Sequence, residues 1–164
     1  MPACVPLRAC KFLLLAVGLQ GPVGHHRGAG RSYGDSALAG PLIGSRFLDS
    51  FLALDEQQQT LRCGAGVKLG DILKVCLPRG LFLPLLPGTK AVSVGGAIAA
   101  DVHGKNHHRD GSFCQHVIQI SLVLASGEVV SCSATQNQEL FRASCGGMGL
   151  TGAIVEATLR LAAV

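Results

Sequence analysis

The chain has 164 residues, the length of one domain or a piece of one. A content of 48% hydrophobic and 15% charged residues suits a buried core and excludes a disordered chain. With no Trp, one Tyr and a formal charge of +4 that is scattered except between His103 and Arg109, there is neither a stacking platform for single strands nor a dense basic face for a duplex. No nucleic-acid partner is expected, and a small phosphate-bearing molecule fits the local charge better.

Read in chain order, Arg8 and Lys11 precede the apolar run Phe12–Val17, which admits two readings. It is a short signal-like start or a helix over Lys11–Leu19 packed on a sheet, and it is too short to span a bilayer, which takes ~20 residues. Residues 1–10 are accordingly taken as an N-terminal extension and 11–164 as the domain. A strand near Pro22–His26 leads into the glycine-rich loop His26–Ser36. Phe47–Asp55 and Thr60–Val67 form two strands around the polar turn Glu56–Gln59. Leu69, Ile72, Leu73, Val75 and Cys76 recur at helical spacing, and Pro78 with Gly80 ends that helix.

Further on, Phe82–Leu86 is extended and meets the turn Pro87-Gly88-Thr89. Val94–Ala100 is a small-residue segment suited to close packing, and His103–Phe113 is a polar loop. Val117–Leu124 and Glu128–Ser133 form a hairpin around Ser126-Gly127. Thr135 with Gln138 makes a capping box for a short helix through Phe141, Gly146-Gly147-Met148-Gly149 breaks it, and Leu150–Leu161 is a final strand. The fold class is α+β.

The seven cysteines, an odd number, contain no CxxC pair. A zinc ribbon or thioredoxin-type site has no support, and most of the cysteines read as small buried hydrophobes. A reducing, cytoplasmic location is the simpler reading, with the signal-like start leaving an exported or membrane-associated one open.

Three clusters carry chemistry. Gly28, Gly30 and Gly34 allow backbone N–H groups to turn toward an anion, while Arg27, Arg31 and Ser32 add charge and a hydroxyl. That is the chemistry of a pyrophosphate cradle, although a plain glycine-rich turn also fits. The spacing is not the G-x-G-x-x-G of nicotinamide-dinucleotide folds, which counts against an NAD domain. Leu86-Pro87-Gly88-Thr89 followed by Ser93-Val94-Gly95-Gly96-Ala97 supplies a second set of amides, or mere punctuation. Asp101–His108 holds three histidines. The four-residue spacing from His103 to His107 invites a metal, but a loop does not fix both imidazoles on one face. Polar donors around a cofactor, or a solvated basic loop, are preferred, and no metal site is assigned.

Taken together with Gly146–Gly152, these motifs resemble, in order, the FAD-binding PCMH-type domain of the vanillyl-alcohol-oxidase superfamily. Within it they are most similar to the decaprenylphosphoryl-β-D-ribose 2′-oxidase-like group. The resemblance covers about Lys11 to Leu161 and implies two α/β subdomains with FAD between them. It implies that His26, Arg27, Gly28, Ala29, Gly30, Arg31, Ser32, Tyr33, Gly34, Asp35 and Ser36 wrap the pyrophosphate. Gly88, Ser93, Val94, Gly95 and Gly96 would line the cofactor from the second subdomain. Ala100, Asp101, Val102 and His103 would lie near the flavin ring, with His103 at its edge, and Ile154 at the adenine end.

Relatives that tether the flavin do so through a histidine in the first loop, where this sequence has Arg31, so the FAD is expected to be non-covalent. The implied activity is oxidation of a sugar or polyol hydroxyl by hydride transfer to flavin. The relatives' substrate domain and its catalytic lysine have no counterpart in this sequence, and the first subdomain looks trimmed. No catalytic base is assigned. The alternative is a non-catalytic FAD-binding module, or a fragment that needs a partner chain.

Overall fold

The structure, a computed structural model, describes residues 25–33, 38 and 42–164. The helix expected over Lys11–Leu19, the start of the first strand, and Gly34, Asp35 and Ser36 lie outside the described residues. Strands β1 (His25–Arg27) and β2 (Leu42–Gly44) pair in parallel and stand apart from the main sheet.

The main sheet begins with β3 (Phe51–Asp55) and β4 (Thr60–Gly64), an antiparallel pair around the expected polar turn. Alternation sets the faces of β4: Leu61 and Cys63 are completely buried, whereas Thr60 and Arg62 are half-buried. Helix α1 (Leu69–Cys76) follows as the spacing predicts, burying Leu69, Ile72 and Cys76. A 3₁₀ turn over Leu77–Arg79 ends on Gly80 at φ 68°, a left-handed position that glycine takes without steric cost.

Of the expected extended segment Phe82–Leu86 only Phe82 is in a strand, β5 (Leu81–Phe82), because its partner is the two-residue β9 (Ala162–Ala163). The small-residue segment is a helix, α2 (Val94–Ala99), and the polar loop contains the single turn α3 (His107–Asp110). The expected hairpin forms as β6 (Val117–Val123) and β7 (Val129–Ser133).

Helix α4 (Gln138–Ser144) is present, but the expected capping box is not. Its N-cap is Asn137 at φ 48° without a side-chain cap bond, and the Thr135 N–H donates to Ser133 Oγ instead. The final strand β8 (Ala153–Arg160) lies in the middle of the sheet, whose order is β3-β4-β8-β6-β7 with every neighbour antiparallel. Its central place explains why it is buried on both faces. Ile154, Ala157 and Leu159 join the main core, while Ala153 and Val155 form a small second cluster with Val123. Glu156 is buried in this strand and accepts from Arg62 Nε across from β4. An antiparallel sheet with helices packed against it is the expected α+β class. Among the described residues no helix is long and apolar enough to cross a membrane.

Candidate functional site

The parallel pair β1–β2 aims the glycine-rich loop. Its ladder is extended by the Ser45 N–H, which donates to Arg27 O at 3.0 Å, and the chain then leaves β1 over the N-terminus of α2. There Gly28 rests against Ser93, so closely that a Cβ on Gly28 would overlap Ser93 Oγ. Ser93 is in turn the N-cap of α2, accepting from the Gly96 N–H at 3.4 Å. One contact therefore fixes the loop to the helix.

The helix is anchored below. Val94 N–H donates to Val67 O and Gly95 N–H to Ala65 O, each at 2.8 Å. A Cβ on Gly95 would stand 3.0 Å from Ala65 Cβ, so a side chain here would press on the β4–α1 connection.

Between loop and helix lies a cavity of about 250 Å³, a little below the ~300–1,000 Å³ usual for small-molecule sites. It is bordered by a loop whose residues 34–37 lie outside the described residues. The first loop contributes His26, Gly28, Ala29, Gly30, Arg31, Ser32 and Tyr33. The α2 region contributes Ser93, Gly95, Gly96, Ala100 and Val102, and β8 contributes Ile154. These thirteen expected positions converge on one space although they come from three separate stretches of chain.

Five others do not line it. Arg27 and Gly88 are exposed outside it, and Val94 is fully buried beneath the helix. Asp101, at φ 39°, turns its carboxylate to accept from the Cys114 N–H at 2.9 Å. His103 is exposed and stacks edge-on with His107 at 5.6 Å. Among the described residues no group of three His, Cys, Asp or Glu side chains is placed to hold a metal ion.

The sequence reading missed Ile43, Ser45, Leu48, Val92, Ala99, Met148, Gly149, Gly152 and Ala153. Strand β2 gave no sequence signal, so Ile43 and the Ser45 that follows it were not legible, and Leu48 lay in the segment expected as a strand without any sign that it lines a cavity. The glycine run Gly146–Gly152 was noticed, yet its place became visible only in three dimensions. The Met148 N–H donates to Ala99 O at 2.8 Å, and Gly152 sits at φ 148°, where a side chain would press on Val123 O. Both contacts fold this run over the cavity.

The two walls differ chemically. Among the described residues, the N–H groups of Gly28, Ala29, Gly30, Arg31 and Ser32 donate to no protein acceptor. Together with the exposed Arg31 guanidinium they form a donor-rich rim. The expected second set of amides is instead committed: those of Val94, Gly95 and Gly96 all have protein partners. The α2 wall offers small apolar surface, with Ala99, Ala100 and Val102, rather than donors. A donor rim facing a narrow apolar wall fits a flat aromatic system carrying a diphosphate, since the rim meets the anion and the missing side chains admit the rings.

An α+β sheet with a glycine-lined, donor-rimmed cleft defines a nucleotide-cofactor domain. Residues 24–133 match the FAD binding domain family, and the chain belongs to it. It is an FAD-binding domain of the kind carried by FAD-linked oxidoreductases. The chain is 46% identical over 138 residues to a decaprenylphosphoryl-β-D-ribose oxidase of Mycolicibacterium smegmatis, a match covering 82% of this chain and 30% of that protein. It is 34% identical to a D-arabinono-1,4-lactone oxidase of Yarrowia lipolytica over 58% of this chain and 18% of the relative. To the L-gulonolactone oxidase of Mus musculus it is 29% identical, over 81% of this chain and 30% of the relative. The chain thus spans less than a third of the length of these relatives.

Proposed function

We propose that this chain is the cofactor-holding part of an oxidoreductase that oxidises a hydroxyl-bearing carbon of a sugar or polyol. The observation that carries the reading is the convergence of the glycine loop, α2 and β8 on one cleft, with the amides of Gly28–Ser32 uncommitted. The names of the relatives, a ribose-derivative oxidase and two sugar-lactone oxidases, supply the substrate class.

Bound FAD supplies the hydride acceptor. In this reading the N–H groups of Gly28–Ser32 donate to the diphosphate oxygens, and Arg31 adds a charge-assisted hydrogen bond. Ala99, Ala100 and Val102 exclude water from the ring face, and Ile154 packs at the adenine end. Val94 supports the wall from below, and Asp101 acts by holding the Cys114 segment. Gly88 and His103 belong to the surface around the site, so the flavin-edge role first considered for His103 is set aside. The cofactor is held without a covalent bond, because the guanidinium at position 31 is a poor nucleophile.

The test is to purify the chain, record its absorbance, and add sugar lactones and polyols without oxygen. Flavin absorbance that bleaches with one of these classes supports the oxidoreductase reading. Flavin that stays oxidised with all of them would leave a binding module without turnover. A colourless protein that does not take up added FAD would sink both.

A further inference from the structure

The cavity is bordered by one residue whose identity neither the backbone nor the core explains. Four described residues other than glycine take a positive φ: Gln59, Asp101, Asn137 and Met148. Gln59 lies in the polar turn between β3 and β4, and Asp and Asn are among the residue types that visit this region most readily. Asp101 and Asn137 also use their side chains locally, on the Cys114 N–H at 2.9 Å and on Ser131 O at 2.8 Å. Met148, at φ 53°, has no strong hydrogen-bonding group to set against the strain.

The backbone on either side is fixed. The Gly146 N–H donates to Ile98 O at 3.0 Å and the Met148 N–H to Ala99 O at 2.8 Å, which ties the run to the C-terminal carbonyls of α2. At the far end Thr151 Oγ1 lies 2.8 Å from Ser144 Oγ, in the last turn of α4. Glycine meets such dihedrals without steric cost, and it stands at positions 146 and 149 with φ 75° and 79°. A methionine at 148 therefore goes against backbone preference.

The core does not account for it either. Met148 is 54% exposed, belongs to neither apolar cluster of the described residues, and borders the cavity. Leu150, two positions on, is 82% exposed and does not border it. An apolar side chain held in a strained conformation, left out of the core and set at a ligand cleft points to a contact with the ligand. The bond to Ala99 O places Met148 beside the wall assigned to the flavin ring.

We propose that Met148 covers the flavin ring against the Ala99–Val102 wall, an assignment that rests on the FAD reading of the cleft. The thioether is polarizable and makes favourable contacts with aromatic rings, and the unbranched chain adapts to the shape of what it covers. The backbone strain at 148 is present in the empty domain, whereas the contact forms only with cofactor bound. Met148 thus lowers the stability of the empty domain and raises retention of the cofactor, two effects of opposite sign on one side chain.

The experiment compares Met148→Gly, Met148→Leu and Leu150→Ala in the purified chain, by urea unfolding without cofactor and by equilibrium dialysis with FAD and, separately, ADP. Met148→Gly should unfold at the same or a higher urea concentration, because glycine relieves the left-handed strain. Its dissociation constant for FAD should rise at least about fivefold, while that for ADP, which carries no flavin ring, stays within about twofold. Met148→Leu keeps the apolar bulk and should hold FAD within about twofold of the unaltered chain, and Leu150→Ala should change neither constant. A lower unfolding midpoint for Met148→Gly would assign the side chain to the fold and overturn the proposal. Unchanged FAD binding, an equal loss of ADP, or the same loss of FAD in Met148→Leu or Leu150→Ala would overturn it too. An unaltered chain that binds neither FAD nor ADP would overturn the FAD reading itself, and the assignment with it.

Discussion

Gly28→Ala is the most informative single change, because the structure says what the added methyl meets. It would overlap Ser93 Oγ while remaining 3.7 Å from Ser93 Cβ, an ordinary contact. The protein must therefore move the hydroxyl, which costs the N-cap bond to the Gly96 N–H. Loss of such a cap is worth about 0.5–2 kcal/mol, and turning the side chain off its rotamer adds about 0.5–1.5 kcal/mol. Gly28→Ala should thus destabilise the domain by roughly 1–3 kcal/mol.

Ser93→Ala alone loses only the cap, about 1 kcal/mol. In the double variant the clashing oxygen is gone and the two methyls fit, so the cost should be close to that of Ser93→Ala. The coupling between the sites is then about 1 kcal/mol or more. Urea unfolding of the four proteins gives the cycle directly, with flavin content measured on the same samples. Costs that add within about 0.3–0.5 kcal/mol would show that Gly28 and Ser93 do not meet. The loop would then not be pinned to α2, and the two-walled cleft would lose its basis.

Arg31→Ala should weaken FAD retention by about tenfold, roughly 1.4 kcal/mol, and remove part of the salt dependence of binding; unchanged retention by equilibrium dialysis would take Arg31 out of the cradle. Acid precipitation should release the yellow colour into the supernatant, and flavin fluorescence that stays with the denatured band on a gel would refute a non-covalent cofactor. Burial pushes the Cys63 thiol up to about 12 from an ordinary 9.0, with the Glu156 charge acting in the same direction. Above pH 9 the unfolded chain gives up this proton and the folded one keeps it, so stability should fall as pH rises from about 9 toward 12. Cys63→Ala should flatten that slope, and an unchanged slope in chemical denaturation would contradict the cause given.

The class of fold and the location of the donor loop were legible in the sequence because they depend on local rules. Period-two alternation in Thr60–Gly64, helical spacing over Leu69–Cys76 and the Ser126-Gly127 turn act over a few residues, and the structure follows each of them. Glycines at 28 and 30 announced a backbone that something approaches closely. What only the tertiary structure decided is what each of those glycines is close to.

Gly95 packs closely over Ala65, a contact made by residues 30 positions apart. The amides of Val94–Gly96 look available in the sequence, but the folded chain gives them to Val67, Ala65 and Ser93. Short strands such as β2 take their conformation from a partner rather than from their own residues, so Ile43 and the cavity wall it provides carried no signal. The same holds for Cys114 Sγ and the Gly146 N–H, which lie far apart in the sequence and both donate to the carbonyl of Ile98. Local sequence sets the conformation and the donor chemistry, whereas long-range packing decides which donors remain unsatisfied and therefore where a ligand can be held.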